Sequence, residues 1–201
     1  MYESLLPSLN KTEAANSYFF DRGVSQEVFD AFELGSIEGQ SSRETYHLIG
    51  KPCFPIRDIN GELISIGSRP GTSWMKYYYL PFPKNKTLYG LHIAAPHILE
   101  KGFVFVVEGI FDALLMHSHG YTNTVATMGS SMSRIQLLLL TSYTNGIKYI
   151  PDMDGPGLTE FDKNRSMMYN VCKDINIDPL FTYPHKDIAD FLKNGGELNA
   201  G

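Results

Sequence analysis

The sequence predicts an α/β protein, in which an α+β N-terminal part precedes a mostly parallel sheet covered by helices. Three observations carry that prediction. Phe103-Val-Phe-Val-Val107 is a continuous apolar run closed by Glu108, the pattern of a strand buried on both faces. Strand-length apolar runs and helical segments then alternate through Lys193, as parallel strands joined by crossover helices require. Upstream, Asn60-Gly61 lies between two apolar runs, the strongest short hairpin signal in the chain.

The elements follow in order. Glu13 to Phe20 reads as a helix ended near Gly23, and Ser25 is placed to cap a second over Gln26–Leu34, with Gly35 as its stop. Cys53 to Arg69 gives the two hairpin strands, and Lys76 to Leu80 a further strand. Pro81, Pro83 and Pro96 mark a loop-rich connection. The strand Phe103–Glu108 turns at Gly109 into a helix over Ile110–Ser118, which Gly120 stops. Thr122–Thr127 is the next strand. Ser131 or Ser133 caps a helix carrying Ile135 to Leu140. A strand at Ile147–Asp152, a helix from about Leu158 to Asp174, a strand at Pro179–Tyr183 and a helix at Ile188–Lys193 complete the series. The expected division is a basic N-terminal subdomain, 1–100, and a second domain, 101–201.

Composition narrows the function. The chain has 201 residues, 43% hydrophobic and 19% charged, which excludes a disordered or fibrous protein. No run reaches the roughly eighteen apolar residues of a membrane span, and Gln136 breaks the longest candidate. The N-terminus lacks the basic start and apolar core of a signal peptide. Two distant cysteines, Cys53 and Cys172, exclude a disulfide framework and a cysteine-rich zinc module, so a cytoplasmic location is expected. Net charge is −5, which alone argues against a nucleic-acid partner. Its distribution differs: Lys51 to Lys86 holds six basic residues against two acids, and Lys101 to Gly201 holds eight against eleven. Divalent cations on those acids would reverse the local sign toward phosphate.

The acids fall where an open parallel sheet places its function, at the carboxyl ends of strands. Glu108 closes the first strand, Asp152 and Asp154 the third, and Asp187 follows the fourth. Each acid alone could be a helix cap or loop residue. Together they cost repulsion and desolvation unless a cation neutralises them, and oxygen donors without His or Cys select Mg²⁺ or Mn²⁺.

Val106-Val-Glu-Gly-Ile-Phe-Asp112, Val125-Ala-Thr-Met-Gly-Ser130 and Asp152-Met-Asp-Gly-Pro-Gly157 resemble the Toprim domain shared by bacterial-type primases, topoisomerases and some nucleases. Lys186-Asp-Ile-Ala-Asp190 is similar to the Lys-Asp-Pro-Asp-Glu segment of bacterial primases, with Asp187 on its first aspartate, Ala189 in place of the second and Asp190 one position later. Arg22-Gly-Val-Ser25, Phe32-Glu-Leu-Gly35, Phe54-Pro-Ile-Arg-Asp58, Gly67-Ser-Arg69, Lys76-Tyr-Tyr78 and Leu88-Tyr-Gly-Leu91 resemble, in order, landmarks of the RNA-polymerase core of those primases.

The resemblance implies metal-dependent synthesis of short RNA primers from ribonucleoside triphosphates on a single-stranded DNA template. Two or more Mg²⁺ or Mn²⁺ ions would stabilise attacking and leaving oxygens, held by Asp152 and Asp154 with Asp187, while Glu108 ligates metal or moves a proton. Asp112, one turn after Glu108, either faces the site or is a solvated helix residue. Arg57, Arg69, Lys76, Lys84 and Lys86 are expected to form the template and triphosphate surface, with Tyr77–Tyr79 beside it as stacking or half-buried residues. Gly129 and Ser130, before a helix start, either meet a phosphate or belong to ordinary capping. His117 and His119 diverge at i and i+2, predicting a solvated pair and not metal ligands. Neither the zinc-binding nor the helicase-binding module of the family is expected within this chain, no zinc with them, and no membrane association. A replicative helicase or a separate zinc-binding module would then be a partner, as in a phage or mobile-element primase. A Toprim nuclease would use the same acids without the Phe-Pro-Ile-Arg-Asp and Leu-Tyr-Gly-Leu landmarks, and a non-catalytic binding module would have lost an acid.

Overall fold

A computed structural model describes residues 9–10, 13–39, 46–69, 71 and 75–198. The chain divides into two compact units, Met1–Pro83 and Lys84–Gly201.

The first unit is built on an antiparallel sheet of order β1-β2-β3-β4-β5: β1 Leu9–Asn10, β2 Gly35–Ile37, β3 Pro52–Arg57, β4 Leu63–Ser68 and β5 Tyr78–Tyr79. Two helices, α1 Glu13–Phe20 and α2 Gln26–Ala31, precede β2. Ser25 caps α2 by accepting from the Val28 amide. Gly35 is not the stop of that helix. The helix ends at Ala31, Glu33 takes a positive φ of 53°, and Gly35 opens β2. The hairpin turns where Asn60-Gly61 predicts, with Gly61 at φ 82° and the Asp58 carboxylate accepting from the Asn60 and Glu62 amides. Phe54 and Gly67 face each other across β3 and β4, and a side chain at 67 would overlap the Phe54 ring. That close approach explains why an aromatic and a glycine occur at these two landmarks. Ile56, Ile66 and Cys53 are fully buried beside it.

The second unit is a parallel sheet of order β7-β6-β8-β9, from β6 Phe103–Val107, β7 Thr124–Ala126, β8 Gly146–Tyr149 and β9 Asn176–Pro179. Helices α3 Leu91–Lys101, α4 Ile110–Ser118, α5 Arg134–Thr141, α6 Gly155–Val171 and α7 Ile188–Lys193 alternate with them. Val104 to Val107 are all 1% exposed or less, as the unbroken apolar run predicts. Pro96 lies inside α3 and not in a loop. The helix is held in place around it by buried Leu91, Ala94 and Ile98, on an element that packs on β6 and β7, while Pro96 itself is exposed. The expected fourth strand is displaced upstream, from Pro179–Tyr183 to Asn176–Pro179, because Ile177 is the residue that pairs with Ile147 in the core. Thus 84–100 packs with the C-terminal sheet, whereas the sequence reading grouped it with the N-terminal half.

Candidate functional site

The strand order fixes the site. From β6 the chain moves out to β7, then returns past β6 to β8 and on to β9, so β6 and β8 are neighbours whose connections leave in opposite directions. The crevice at the carboxyl end of such a pair is where open α/β sheets bind ligands. Glu108 follows β6 there, and Asp152 and Asp154 follow β8.

Backbone hydrogen bonds draw the acid-bearing loops together. The Asp152 amide donates to Glu108 Oε1 at 3.4 Å, and the Met153 amide to the Lys186 carbonyl at 2.7 Å. Glu108 is 9% exposed, and its charge, with that of Asp152, adds to burial in pushing the Tyr149 hydroxyl pKa up. Asp154 caps α6, accepting from Gly157 N at 2.6 Å, and Asp187 caps α7, accepting from Asp190 N at 2.8 Å with Lys186 Nζ 3.8 Å from its carboxylate. Both of these acids therefore also serve as helix caps. Two glycines let the acids approach. A side chain at Gly157 would overlap the Asp152 carbonyl, and one at Gly109 would overlap the Asp112 carboxylate, which folds back over that turn. Among the described residues, no three His, Cys, Asp or Glu side chains are grouped to hold one metal ion. The donors are all oxygens, which suits a hard divalent cation, but they run along the sheet edge and do not converge on a point.

The basic set is distributed over both units. In the first, Arg57 pairs with Glu33 at 2.6 Å and donates to the Gly61 carbonyl at 2.7 Å. Arg69 lies 4.8 Å over the Tyr77 ring, Lys76 Nζ lies 5.9 Å from the same ring, and Tyr77 stacks on Tyr79. Burial, then the neighbouring Tyr77, raise the Tyr79 hydroxyl pKa. In the second unit, Lys84 and Lys86 lie on an exposed 3₁₀ turn, Lys84–Lys86. Lys84 Nζ lies 3.4 Å from where a Gly129 side chain would begin, and burial lowers its pKa. Gly129 and Ser130 do not cap α5. Ser133 does, in a capping box with Gln136. Ser130 is instead held by its carbonyl, which accepts from Asn164 Nδ2 at 2.7 Å.

His117 departs from the sequence expectation. It is 6% exposed, its Nε2 lies 2.9 Å from the Thr124 carbonyl, and burial lowers its pKa to about 4. The divergence of His117 from His119 is real, but the His117 side of α4 faces the core. Sequence reasoning also missed Gln136 and Asn164, two buried amides around this loop. The Ser133-x-x-Gln136 spacing could have revealed the first.

Residues 105–192 match a Toprim-like family model. Over 222 residues the chain is 26% identical to the DNA primase of Aquifex aeolicus, covering 94% of this chain and 44% of that protein. It is 29% identical over 234 residues to a DNA primase of Helicobacter pylori, covering 95% and 40%. The solved A. aeolicus primase, comprising zinc-binding and RNA polymerase domains, superposes with a TM-score of 0.82 at 26% identity, covering 92% of this chain and 54% of that one. A DnaG catalytic core gives 0.83 at 23% identity, covering 96% and 73%. A DnaG catalytic domain bound to ssDNA gives 0.80 at 23% identity, covering 96% and 74%. The chain spans less than half the length of these curated relatives. Among the described residues, no helix is long and apolar enough to cross a membrane.

Proposed function

Since residues 105–192 form a Toprim-like domain and the chain is a homologue of the bacterial DNA primases, we propose that it is the catalytic core of a primase. The reaction is metal-dependent synthesis of short RNA primers on single-stranded DNA. The observation that carries this reading is the Glu108–Asp152 hydrogen bond, two acids 44 residues apart brought together at the β6/β8 crevice.

Glu108, Asp152 and Asp154, with Asp187 beside them, would hold two or more Mg²⁺ or Mn²⁺ ions between them, and these would supply charge stabilisation to the attacking 3′-oxygen and the leaving pyrophosphate. The chain's own residues do the positioning. Gly157 leaves room for the Asp152 carbonyl and the Asp154 carboxylate, and the caps of α6 and α7 fix Asp154 and Asp187 in direction. Lys84 and Lys86, with the Gly129-Ser130 turn, take the triphosphate. Arg69 and Lys76 around Tyr77 offer charge and a ring face to the template, and Arg57 adds a cation fixed by Glu33. The unit 1–83 then handles the template and the unit 84–201 carries the triphosphate and the chemistry. A replicative helicase or a separate zinc-binding module is the expected partner, in the bacterial or infected-cell cytoplasm.

The test is incubation with ribonucleoside triphosphates, single-stranded DNA and Mg²⁺ or Mn²⁺. Short RNA is expected, in greater yield from a pre-annealed primer, and its loss in Glu108→Gln, Asp152→Asn or Asp154→Asn. Cleavage of the template without nucleotide incorporation assigns the acids to a nuclease and overturns the proposal.

A further inference from the structure

Gln136 is 2% exposed and its amide joins three segments. Its Oε1 accepts from the Ser133 amide at 2.8 Å, completing the capping box of α5. Its Nε2 donates to the Thr87 carbonyl at 2.8 Å and lies 3.3 Å from the carbonyls of Lys84 and Thr127. Thr127 follows β7, next to the strand end that carries Glu108, and its amide donates to the Val107 carbonyl. The Lys84–Lys86 turn buries none of its own residues. Polar contacts therefore fix it, from Gln136 and from the Ser133 hydroxyl to the Asn85 carbonyl.

The residue type is informative. A capping box needs only an acceptor at this position, and glutamate serves there as well as glutamine. A glutamate cannot donate, and would set a carboxylate against three carbonyl oxygens in a buried place. The amide is thus required by the Lys84 turn and by Thr127, not by the helix. We infer that Gln136 is a positioning residue for nucleotide binding: it holds the Lys84 turn against the Gly129 turn and the β6/β7 strand ends, so that the Lys84 ammonium is aimed at a triphosphate. This rests on the reading of Lys84 as a triphosphate-binding cation.

ATP with Mg²⁺ is titrated calorimetrically into the whole chain and into variants whose folding is checked by circular dichroism. Lys84→Ala is expected to weaken binding about tenfold, the effect of losing one charge-assisted hydrogen bond. Gln136→Glu and Gln136→Met should each weaken it to a similar extent. In the Lys84→Ala background neither should add more than about twofold, because both act through the same ammonium. Thr144→Val, which removes two hydrogen bonds at the opposite edge of the sheet, should leave affinity unchanged. Ser133→Ala carries the same non-additivity test if neither Gln136 variant folds.

Additive losses, unchanged affinity in a folded Gln136→Glu, or no binding of ATP by the wild type each overturn the inference. The readout is separate from polymerisation. A chain that makes no RNA but shows the coupling loses the proposed function and keeps this inference, and RNA synthesis without the coupling does the reverse.

Discussion

At the scale of single residues, the two glycines next to the acids make opposite predictions. A methyl at Gly157 meets the Asp152 backbone carbonyl, which cannot move without shifting the acid loop. Gly157→Ala is expected to cost about 1–3 kcal/mol in urea unfolding and to abolish the metal response. A methyl at Gly109 meets only the end of the Asp112 side chain, which can rotate away. Gly109→Ala should leave stability within about 0.5 kcal/mol, as for a change that needs no backbone shift. Both glycines are visible in the sequence, but their different reasons are not, because the atoms they avoid are placed by the folded loops.

His117 gives a pH prediction. Burial, then His97, His92 and Lys101, hold its pKa near 4 against an ordinary 6.5, opposed by its bond to the Thr124 carbonyl. The unfolded chain therefore takes up a proton between pH 6.5 and 4 that the folded chain refuses. The contribution is fully present above pH 6.5 and is lost as pH falls toward 4, by about 3 kcal/mol in total. Unfolding curves of His117→Gln should fall less steeply over that window, and an unchanged slope assigns the acid sensitivity elsewhere. The apolar residues around His117 were legible as core. Nothing in the i, i+2 spacing says which of the two histidines turns inward.

At the scale of elements, caps and candidate ligands coincide. Asp154 and Asp187 each satisfy an amide at the start of a helix, a duty asparagine performs equally well. Asp154→Asn should therefore hold stability in the metal-free state, while Asp154→Ala loses about 1 kcal/mol more. In thermal melts Mn²⁺ should raise the wild-type midpoint and leave the Asp152→Asn/Asp154→Asn variant nearly unmoved. Equal shifts would show that the acids hold no metal. Elsewhere Pro96 is an exposed proline in α3 that withholds a hydrogen bond from the turn before it. Pro96→Ala is expected to stabilise by about 1–3 kcal/mol, read from the denaturation midpoint. The boundaries of α1, α4 and α7 were legible to the residue, since caps and glycines mark them. The existence of α3 was not, because proline is a helix breaker by propensity and packing overrides it here. β2 was missed for a related reason: Gly35 reads locally as a stop, and only pairing with β1 and β3 makes this segment a strand.

For the whole molecule, the parallel sheet and its acidic edge follow from alternating segments, but the strand order does not. The order decides that Glu108 and Asp152, not Glu108 and some residue of β9, share a crevice. The basic residues were legible as a group, and the fold adds that Arg57 is already engaged by Glu33. For a chain of net charge −5, single-strand affinity should rest on few phosphates, and so be weak at physiological salt with a shallow salt dependence. Replacing Lys76, Lys84 and Lys86 together by Ala should flatten the log–log salt dependence by about 0.7 for each phosphate that is no longer neutralised. An unaltered slope would place the template groove on other residues.

The two margins of the parallel sheet have a further consequence. On one side, Tyr89 exchanges two backbone hydrogen bonds with Ala126 of β7, at 2.9 and 3.0 Å, and so seals that margin with the chain's own backbone. On the other, β9 is four residues long, carries exposed Asp178 and ends in Pro179, which has no amide hydrogen to offer. Short, charged and proline-ended margins are the devices that stop sheets from recruiting another strand. Both margins of this sheet are thus poor templates for an added strand.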